Sequence, residues 1–499
     1  MNRAAGILMP VSSLPSRYGI GCFSQSAYDF VDWLAQAGQS YWQILPLGPT
    51  SFGDSPYQSF STFAGNPYFI SLEALIEEGV LDQAECGEAD FGASDTVVDY
   101  EKLYQNRYPL LRKAYERSRI SENPAYQRFV EDNSWWLADY ALFMAVKGRF
   151  GGVPWSEWAE DIRLRWGNAM DYYRRELYFD IEFQQYLQFQ FFSQWKRLKA
   201  YANKKGIRII GDIPIYVSFD SVDVWAHPEL FQLKEGGVPI AVAGCPPDGF
   251  SADGQLWGNP LYRWETHRRS GYAWWISRLR YCFDLYDVVR IDHFRGFDAY
   301  YSIPYGAKNA ARGHWEKGPG IELFRRMEEC LGRREVIAED LGYVTDSVRA
   351  LVHDSGFPGM KVLEFAFDSR DSGSASDYLP HNYPENSVVY TGTHDNETLA
   401  GWLDSITKED LKAARDYMCD HYTPKHRLYL SLLALALQSK ARICIIPLQD
   451  YLGYDNHSRI NRPSTVGGNW SWRVTREALS EELQKEVLAM ACRYGRKRR

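Results

Sequence analysis

The sequence is poor in the motifs that hold metals, disulfides or nucleotides. Its 499 residues include eight cysteines, and no two of them form a CxxC pair. This spacing excludes a zinc ribbon and a thiol–disulfide redox motif. No HExxH motif is present. The turn after the first predicted strand, SSLPSRYGIG, also lacks the GxGxxG loop that a dinucleotide-binding sheet would carry there.

Basic charge and long hydrophobic runs are also limited. A net charge of −8 argues against nucleic-acid and anionic-membrane partners, because both require a basic surface. The most apolar stretch, LYLSLLALAL from Leu428, covers about half a membrane span and predicts a buried helix. The N-terminus lacks the apolar segment of a signal peptide, and unpaired thiols suit a reducing compartment, so we predict a cytoplasmic protein. We expect the basic end, 496–499, to be a solvated tail.

Aromatic residues are unusually abundant. They make up 15% of the chain, with 17 Trp and 34 Tyr. Aromatic rings stack on the apolar faces of sugars, but they also fill large hydrophobic cores. Composition alone leaves both interpretations open.

Eight short apolar runs predict strands that are buried on both faces. Helical patterns lie between these runs, and an alternation of this kind predicts a (β/α)8 TIM barrel, here a single catalytic barrel over 1–499. A doubly wound sheet is the alternative, but the missing glycine-rich loop argues against it. The predicted strands are 5–11, 41–47, 207–213, 287–292, 335–340, 360–367, 387–393 and 442–448.

Two long segments interrupt the regular alternation. About 160 residues separate the second run from the third, far more than a crossover helix needs, so we predict a mainly helical insertion over 48–205 at the catalytic face. The stretch 243–262 contains too much glycine and proline for a helix or a strand. We predict that it forms a loop over the active site.

Polar residues stand at the C-terminal ends of several predicted strands, the barrel end where active sites lie. Carboxylates grouped with one arginine and one histidine are typical of glycosidic bond cleavage. The residues are Asp212 at the end of the third run, Arg290 and Asp292 at the end of the fourth, Glu339 at the end of the fifth, and His394 and Asp395 directly after the seventh.

The three acids suggest distinct roles. Arg290 is two residues from Asp292 on one strand, so it favours the ionised carboxylate that a nucleophile requires. Glu339 must instead hold a proton at neutral pH, and Asp395, beside His394, suits stabilisation of an oxocarbenium-like transition state. A metal site at His293 and His394 is disfavoured because no metal-binding motif accompanies them. We predict no metal and no cofactor.

Several long motifs resemble those of amylomaltases, the 4-α-glucanotransferases of glycoside hydrolase family 77. They are RIDHFRGF, AEDLG, GTHDNET, GDSPYQSFSTFAGNPYFI, GDIPIYV, PPDGFSADGQLWGNPLY, KVLEFAF and GGNWSWR, and the likeness covers almost the whole chain. The resemblance implies that Asp292 is the nucleophile, Glu339 the general acid/base and Asp395 the transition-state stabiliser. It also implies substrate contacts at Tyr57, Asp212, Asp248, Gln255, Trp257, Arg290, Phe365, Asp368, His394 and Asn461. Phe52 and Gly249 depart from aromatic residues found in some relatives, which affects fine glucan contacts.

The leading hypothesis is a retaining double displacement on α-1,4-glucans and maltooligosaccharides, with glucose or an oligosaccharide as acceptor. An α-amylase-type retaining hydrolase would use the same acids, with water as the acceptor. The loop GQLWGN would favour transfer if it excludes water and stacks an acceptor sugar. A glucan-binding barrel without activity is the third possibility, although it would not need an acid/base pair.

Overall fold

The computed structural model describes residues 3–51, 53–247, 253–342, 344–370 and 375–498. These parts of the chain contain twelve strands: β1 (Ala4–Leu8), β2 (Tyr41–Gln43), β3 (Arg208–Pro214), β4 (Ala241–Cys245), β5 (Gln255–Pro260), β6 (Val288–Asp292), β7 (Ala299–Pro304), β8 (His314–Lys317), β9 (Val336–Ala338), β10 (Gly359–Val362), β11 (Ser387–Tyr390) and β12 (Ile443–Pro447).

Eight strands close into a parallel barrel. Their order is β1-β2-β3-β6-β9-β10-β11-β12, and β12 pairs with β1 to complete the circle. Each of the eight predicted runs overlaps one of these strands, so the predicted barrel is confirmed. The runs were recognisable because barrel strands are covered on both faces and therefore contain few polar residues before their ends.

Helices surround the barrel and fill the long segment between β2 and β3. Thr345 was a predicted N-cap, and its hydroxyl accepts a hydrogen bond from the Val348 N–H. The helices are α1 (Gln25–Gln36), α2 (Leu72–Glu77), α3 (Gln83–Glu88), α4 (Tyr100–Ser118), α5 (Pro124–Asp132), α6 (Ser134–Arg149), α7 (Glu160–Arg163), α8 (Gly167–Glu176), α9 (Tyr178–Lys204), α10 (Val222–Ala226), α11 (Trp264–Arg269), α12 (Ala273–Leu285), α13 (Ile321–Leu331), α14 (Asp346–Ser355), α15 (Ala375–Tyr378), α16 (Leu399–Ser405), α17 (Lys408–Met418), α18 (Leu428–Gln438), α19 (Leu448–Leu452) and α20 (Glu481–Arg493). Because α2 to α9 all lie between β2 and β3, they support the proposed insertion at 48–205.

A second, antiparallel sheet has the order β5-β4-β7-β8. We expected no strand within 243–262, and this was wrong at both ends of the segment. The pairing of β4 with β5 shifts register between Val242 and Gly244, and a Cβ at Gly244 would lie only 2.1 Å from the Gln255 carbonyl oxygen. Glycine here marks a bulge and a close approach of two strands, which the sequence pattern did not distinguish from a loop.

The basic C-terminus is not a solvated tail at Arg496. This side chain is fully buried, and it donates hydrogen bonds to the carbonyl oxygens of Leu437, Ala4, Ser439 and Ala441 at 2.6 to 3.0 Å. A guanidinium has five N–H donors, so one arginine can satisfy several carbonyls around the start of β1 and the end of α18. The prediction was wrong because charge alone does not reveal carbonyls that need a donor.

Many of the aromatic residues belong to the core. The largest fully buried side chains include Trp42, Trp195, Trp225, Trp275 and Trp402. The high aromatic content is therefore explained in part by packing, and only a subset of rings lies at the barrel mouth. Among the helices within the described ranges, none has both the length and the hydrophobicity of a transmembrane span.

Candidate active site

The carboxyl ends of β3, β6, β9 and β11 bring the predicted polar residues together. Asp212 of β3 pairs in register with Arg290 of β6, and Glu339 follows the last residue of β9. His394 and Asp395 lie in the turn after β11. Because the strands are parallel and closed, these ends surround one cleft.

Arg290 connects the acids of two neighbouring strands. Its Nη1 donates to both oxygens of Asp212, at 2.7 and 2.6 Å, and to Asp292 Oδ1 at 3.1 Å. The Asp212 side chain is fully buried, whereas that of Asp292 is 28% exposed. Asp212 is therefore a buried counter-ion, which also accepts a hydrogen bond from the Tyr57 hydroxyl at 2.7 Å, while Asp292 reaches the cleft.

Glu339 is held by two backbone donors. The His293 N–H donates to Oε2 at 2.6 Å, and the Leu341 N–H donates to Oε1 at 3.0 Å. Burial and the nearby charge of Asp292 raise the pKa of Glu339 to about 7, although Arg290 and the two N–H groups act in the opposite direction. A carboxyl with this pKa can carry a proton at neutral pH and release it during a reaction.

Burial and Arg290 have opposite effects on the pKa of Asp292. Burial raises the pKa of Asp292 to about 6, and Arg290, which contacts it directly, opposes that increase. The sequence predicted that Arg290 would favour ionised Asp292, and its effect has that direction. The net pKa is nevertheless raised, because burial outweighs the effect of Arg290 and the nearby charges of Asp212 and Asp395 act in the same direction as burial.

Asp395 is fixed by its neighbours. Its Oδ1 accepts a hydrogen bond from Asn461 Nδ2 at 2.6 Å, and its Oδ2 lies 3.3 Å from His394 Nε2. Desolvation alone would raise the pKa of Asp395, but His394, Asn461 and Arg290 together lower it to about 2. Asp395 is therefore a stable carboxylate, suited to facing a developing positive charge.

Asn461 was predicted as a sugar contact, and the structure engages its side-chain amide with Asp395. Two further residues of this region were missed. Arg459 donates to the carbonyl oxygens of Asp395 and Asn461, at 2.7 and 2.8 Å. Trp470 packs against the rings of Tyr57 and His394, at centroid distances of 5.8 and 5.9 Å. The motif GGNWSWR was a signal for Trp470, but nothing in the pattern indicated Arg459.

Gln255 and Trp257 lie on β5, beside the residue that follows Asp292. Trp257 Nε1 donates to Gln255 Oε1 at 3.0 Å, and the Trp257 ring meets the His293 ring at 4.8 Å and 89°. The Trp257 side chain is half-buried, so part of the indole remains available to a ligand. The predicted contact Asp248, together with Phe52 and Gly249, lies outside the described residues.

Phe365 and Asp368 follow β10. Phe365 is half-buried and meets Tyr378 edge-on, with a centroid distance of 5.2 Å. The carboxylate of Asp368 accepts hydrogen bonds from Arg370, at 2.8 and 2.6 Å, and from Trp402 Nε1 at 3.0 Å. Both Asp368 oxygens are thus engaged within the protein, and its role as a sugar contact stays a prediction.

The fold and this arrangement define a class of protein. A closed parallel barrel whose strand ends place carboxylates around an arginine, in a cleft bordered by aromatic rings, is typical of barrel enzymes that break glycosidic bonds with carboxyl groups. Over the described ranges, no group of three or more His, Cys, Asp or Glu side chains is arranged to hold a metal ion.

Comparisons with known proteins identify the family. The family 77 glycoside hydrolase model, described as 4-α-glucanotransferase, matches residues 9–479. The chain is 47% identical to the 4-α-glucanotransferase of Clostridium butyricum over 490 residues, which cover 98% of this chain and 100% of that one. It is 46% identical to the Thermus thermophilus 4-α-glucanotransferase, with 98% of each chain covered. The chain belongs to glycoside hydrolase family 77.

A solved structure agrees with this assignment. The amylomaltase from Streptococcus agalactiae, solved in complex with acarbose, superposes with a TM-score of 0.95 and 43% sequence identity, covering 99% of this chain and 100% of that one. This chain is therefore an enzyme that transfers segments of α-1,4-glucans. The transferase prediction is confirmed over the α-amylase-type hydrolase and over the glucan-binding barrel without activity.

Proposed function

We propose that transfer proceeds by a retaining double displacement. Asp292 attacks the anomeric carbon of the donor glucan, and the bond from this carbon to the glycosidic oxygen breaks. The electron pair of that bond stays on the oxygen, which takes the proton from Glu339. The observation that carries this proposal is the parallel pairing of β6 with β9 up to Ile291 and Ala338, which sets the next residues, Asp292 and Glu339, side by side; Glu339 has the pKa of about 7.

The second half of the reaction reverses the roles. Ionised Glu339 takes the proton from a hydroxyl of the acceptor sugar, whose oxygen attacks the anomeric carbon and releases Asp292. Asp395 lies opposite the developing oxocarbenium charge in both steps and remains ionised throughout. Tyr57 contacts the sugar at the centre of the cleft, backed by the buried side chains of Asp212, Arg290 and His394, and Gln255 and Trp257 hold the acceptor.

The natural donors and acceptors are maltooligosaccharides and longer α-1,4-glucans, with glucose as the smallest acceptor. The acarbose complex of the Streptococcus agalactiae amylomaltase supports a cleft that takes oligosaccharides of this kind. No step requires a cofactor. The cytoplasm is the proposed compartment, because free thiols such as those of Cys22, Cys86 and Cys444 suit a reducing environment.

Incubation with maltotriose tests this function directly. We expect glucose together with oligomers longer than maltotriose, because a glycosyl-enzyme that reacts with a sugar lengthens that sugar. Thin-layer chromatography of the digest over time is the measurement. A digest that contains only products shorter than maltotriose would identify a hydrolase instead.

The Trp257→Ala change is expected to lower the ratio of transfer to hydrolysis by about tenfold, more than it lowers the total rate. Water is abundant, so a sugar acceptor competes through positioning, and the indole of Trp257 supplies a stacking face beside Asp292. The measurement compares the yield of longer oligomers, which report transfer, with the yield of new reducing ends, which report hydrolysis. Glucose release gives the total rate. Trp166→Ala, which removes an exposed tryptophan at the start of α8, is the control. If both products fall in proportion, Trp257 only supports β5.

A further inference from the structure

The chain makes a left-handed turn immediately after Asp292. His293 has φ 52° and ψ 47°, a conformation that few residues other than glycine adopt. Histidine tolerates it better than most residues do, as asparagine does. The position is the first residue beyond β6 and adjoins the proposed nucleophile, so the turn is part of the active site.

The turn directs two successive N–H groups towards one residue. In an extended strand, successive N–H groups point in opposite directions. Here the His293 N–H donates to Glu339 Oε2 at 2.6 Å, and the Phe294 N–H donates to the Glu339 carbonyl oxygen at 3.0 Å. The Glu339 N–H in turn donates to the Ile291 carbonyl oxygen at 3.1 Å. Side chain and backbone of Glu339 are thus both tied to the end of β6.

Aromatic packing holds the His293 ring. Trp257 meets it edge-on at 4.8 Å, and Tyr216 lies at 6.3 Å. Among the described residues, His293 Nε2 has no hydrogen-bond partner, and burial lowers the pKa of this imidazole to about 3. Because the imidazole is neutral and its recorded side-chain contacts are aromatic, the ring contributes through packing.

We propose that His293 is a positioning residue, whose left-handed φ and ψ turn the chain after β6 so that its own N–H and that of Phe294 both donate to Glu339 and fix the orientation of its carboxyl. This inference rests on the proposed role of Glu339 as the acid/base. The N–H keeps the carboxyl turned so that its proton meets the glycosidic oxygen. It also stabilises the carboxylate that remains after the proton has been donated.

The pH dependence follows from the groups that face Glu339. In the described part of the chain these are Asp292, which favours the protonated form, and Arg290, which favours the ionised form, together with the two N–H donors. Loss of the hydrogen bond from the His293 N–H would remove one of the groups that favour ionised Glu339. The pKa of Glu339 would therefore rise. Glycosylation needs protonated Glu339 and declines as pH rises through this pKa. The basic limb of kcat/KM would therefore move to higher pH.

Substitutions at His293 can separate the effect of its backbone conformation from the effect of its ring. Valine is β-branched and resists the left-handed conformation, whereas asparagine and glycine accept it. We expect His293→Val to lower kcat about tenfold, with KM changed less than about twofold, and to move the basic limb upward by roughly half a pH unit or more. His293→Asn is expected to stay near the wild-type values in all three measurements.

The pair His293→Ala and His293→Gly provides the matched control, since both lack the ring and only alanine resists the turn. We expect the alanine variant to shift towards valine and the glycine variant towards wild type, with thermal melting checking that each is folded. The inference is wrong if the folded His293→Val variant matches His293→Asn in kcat and in the basic limb. If His293→Val does not fold, the same comparison is made with His293→Ala. It is equally wrong if glycine and asparagine fall as far as valine or alanine. Retained turnover of maltotriose by Glu339→Gln would instead refute the proposed acid/base role of Glu339.

Discussion

Replacement of Asp292 by asparagine is expected to reduce turnover of maltotriose by at least about 10⁴-fold. The amide has nearly the same shape as the carboxylate, but it lacks the negative charge that attacks the anomeric carbon. Without a covalent intermediate, neither transfer nor hydrolysis can proceed by the proposed route. Initial rates of glucose release, measured with a high concentration of pure protein, give the size of the loss.

The fold of this variant is expected to survive. Arg290 keeps its two contacts with Asp212 at 2.7 and 2.6 Å, so the change leaves no buried guanidinium without a carboxylate. Asp298→Asn is the control, because Asp298 lies six residues further along and accepts a hydrogen bond from Ser347 outside the proposed site. Near wild-type activity of Asp292→Asn would show that another group is the nucleophile.

The barrel could be predicted because its strands are simple in sequence. Strands such as β9 and β12 are buried at every residue, so each appears as an uninterrupted apolar run that ends where the cleft begins. The same rule placed Asp292 and Glu339 at the barrel mouth. Parallel closure then brings residues together that are distant in the chain, with no need to know any side-chain contact.

The antiparallel sheet could not be predicted in the same way. Gly244 interrupts β4, and Gly258 interrupts β5. A glycine that permits a bulge or a close backbone approach has the same sequence appearance as a glycine in a loop. The strand β4 also pairs with β7, which lies beyond β6 in the chain, so no local feature of β4 indicates this pairing.

Some site contacts also depend on tertiary structure alone. Asn461 and Asp395 are separated by 66 residues, and only the fold reveals that the amide donates to the carboxylate. Arg459 acts on backbone carbonyls, which every residue possesses, so no side-chain pattern could identify its partners. Residue types at strand ends thus predicted the acids, while the groups that orient them emerged from the structure.

Replacement of Glu339 by glutamine is expected to divide the reaction into its two steps. Turnover of maltotriose should fall by about 10³-fold or more, because the leaving oxygen no longer receives a proton. A maltosyl fluoride donor has a good leaving group that needs little protonation, so Asp292 can still attack it. Deglycosylation then lacks a base, and the glycosyl-enzyme should accumulate.

The contacts of Glu339 call for a companion variant. Both carboxylate oxygens accept backbone N–H groups, from His293 at 2.6 Å and from Leu341 at 3.0 Å. A glutamine amide has one acceptor oxygen, so its NH2 group would face one of these donors and the side chain would turn. Glu339→Ala removes this conflict and leaves space for a small anion. Azide, which needs no base, is expected to restore turnover of the fluoride donor and to give a glycosyl azide.

Mass spectrometry of the intact and digested variants is the measurement that decides the scheme. We expect one glycosyl adduct per chain, located on the peptide that contains Asp292, and its loss when azide is added. Glu335→Gln is the control, because Glu335 precedes the same strand at its opposite end and pairs with Arg208 at 3.0 Å. An adduct on a different residue would exclude Asp292 as the nucleophile. The absence of any adduct, with turnover of the fluoride unchanged from wild type, would exclude Glu339 as the base.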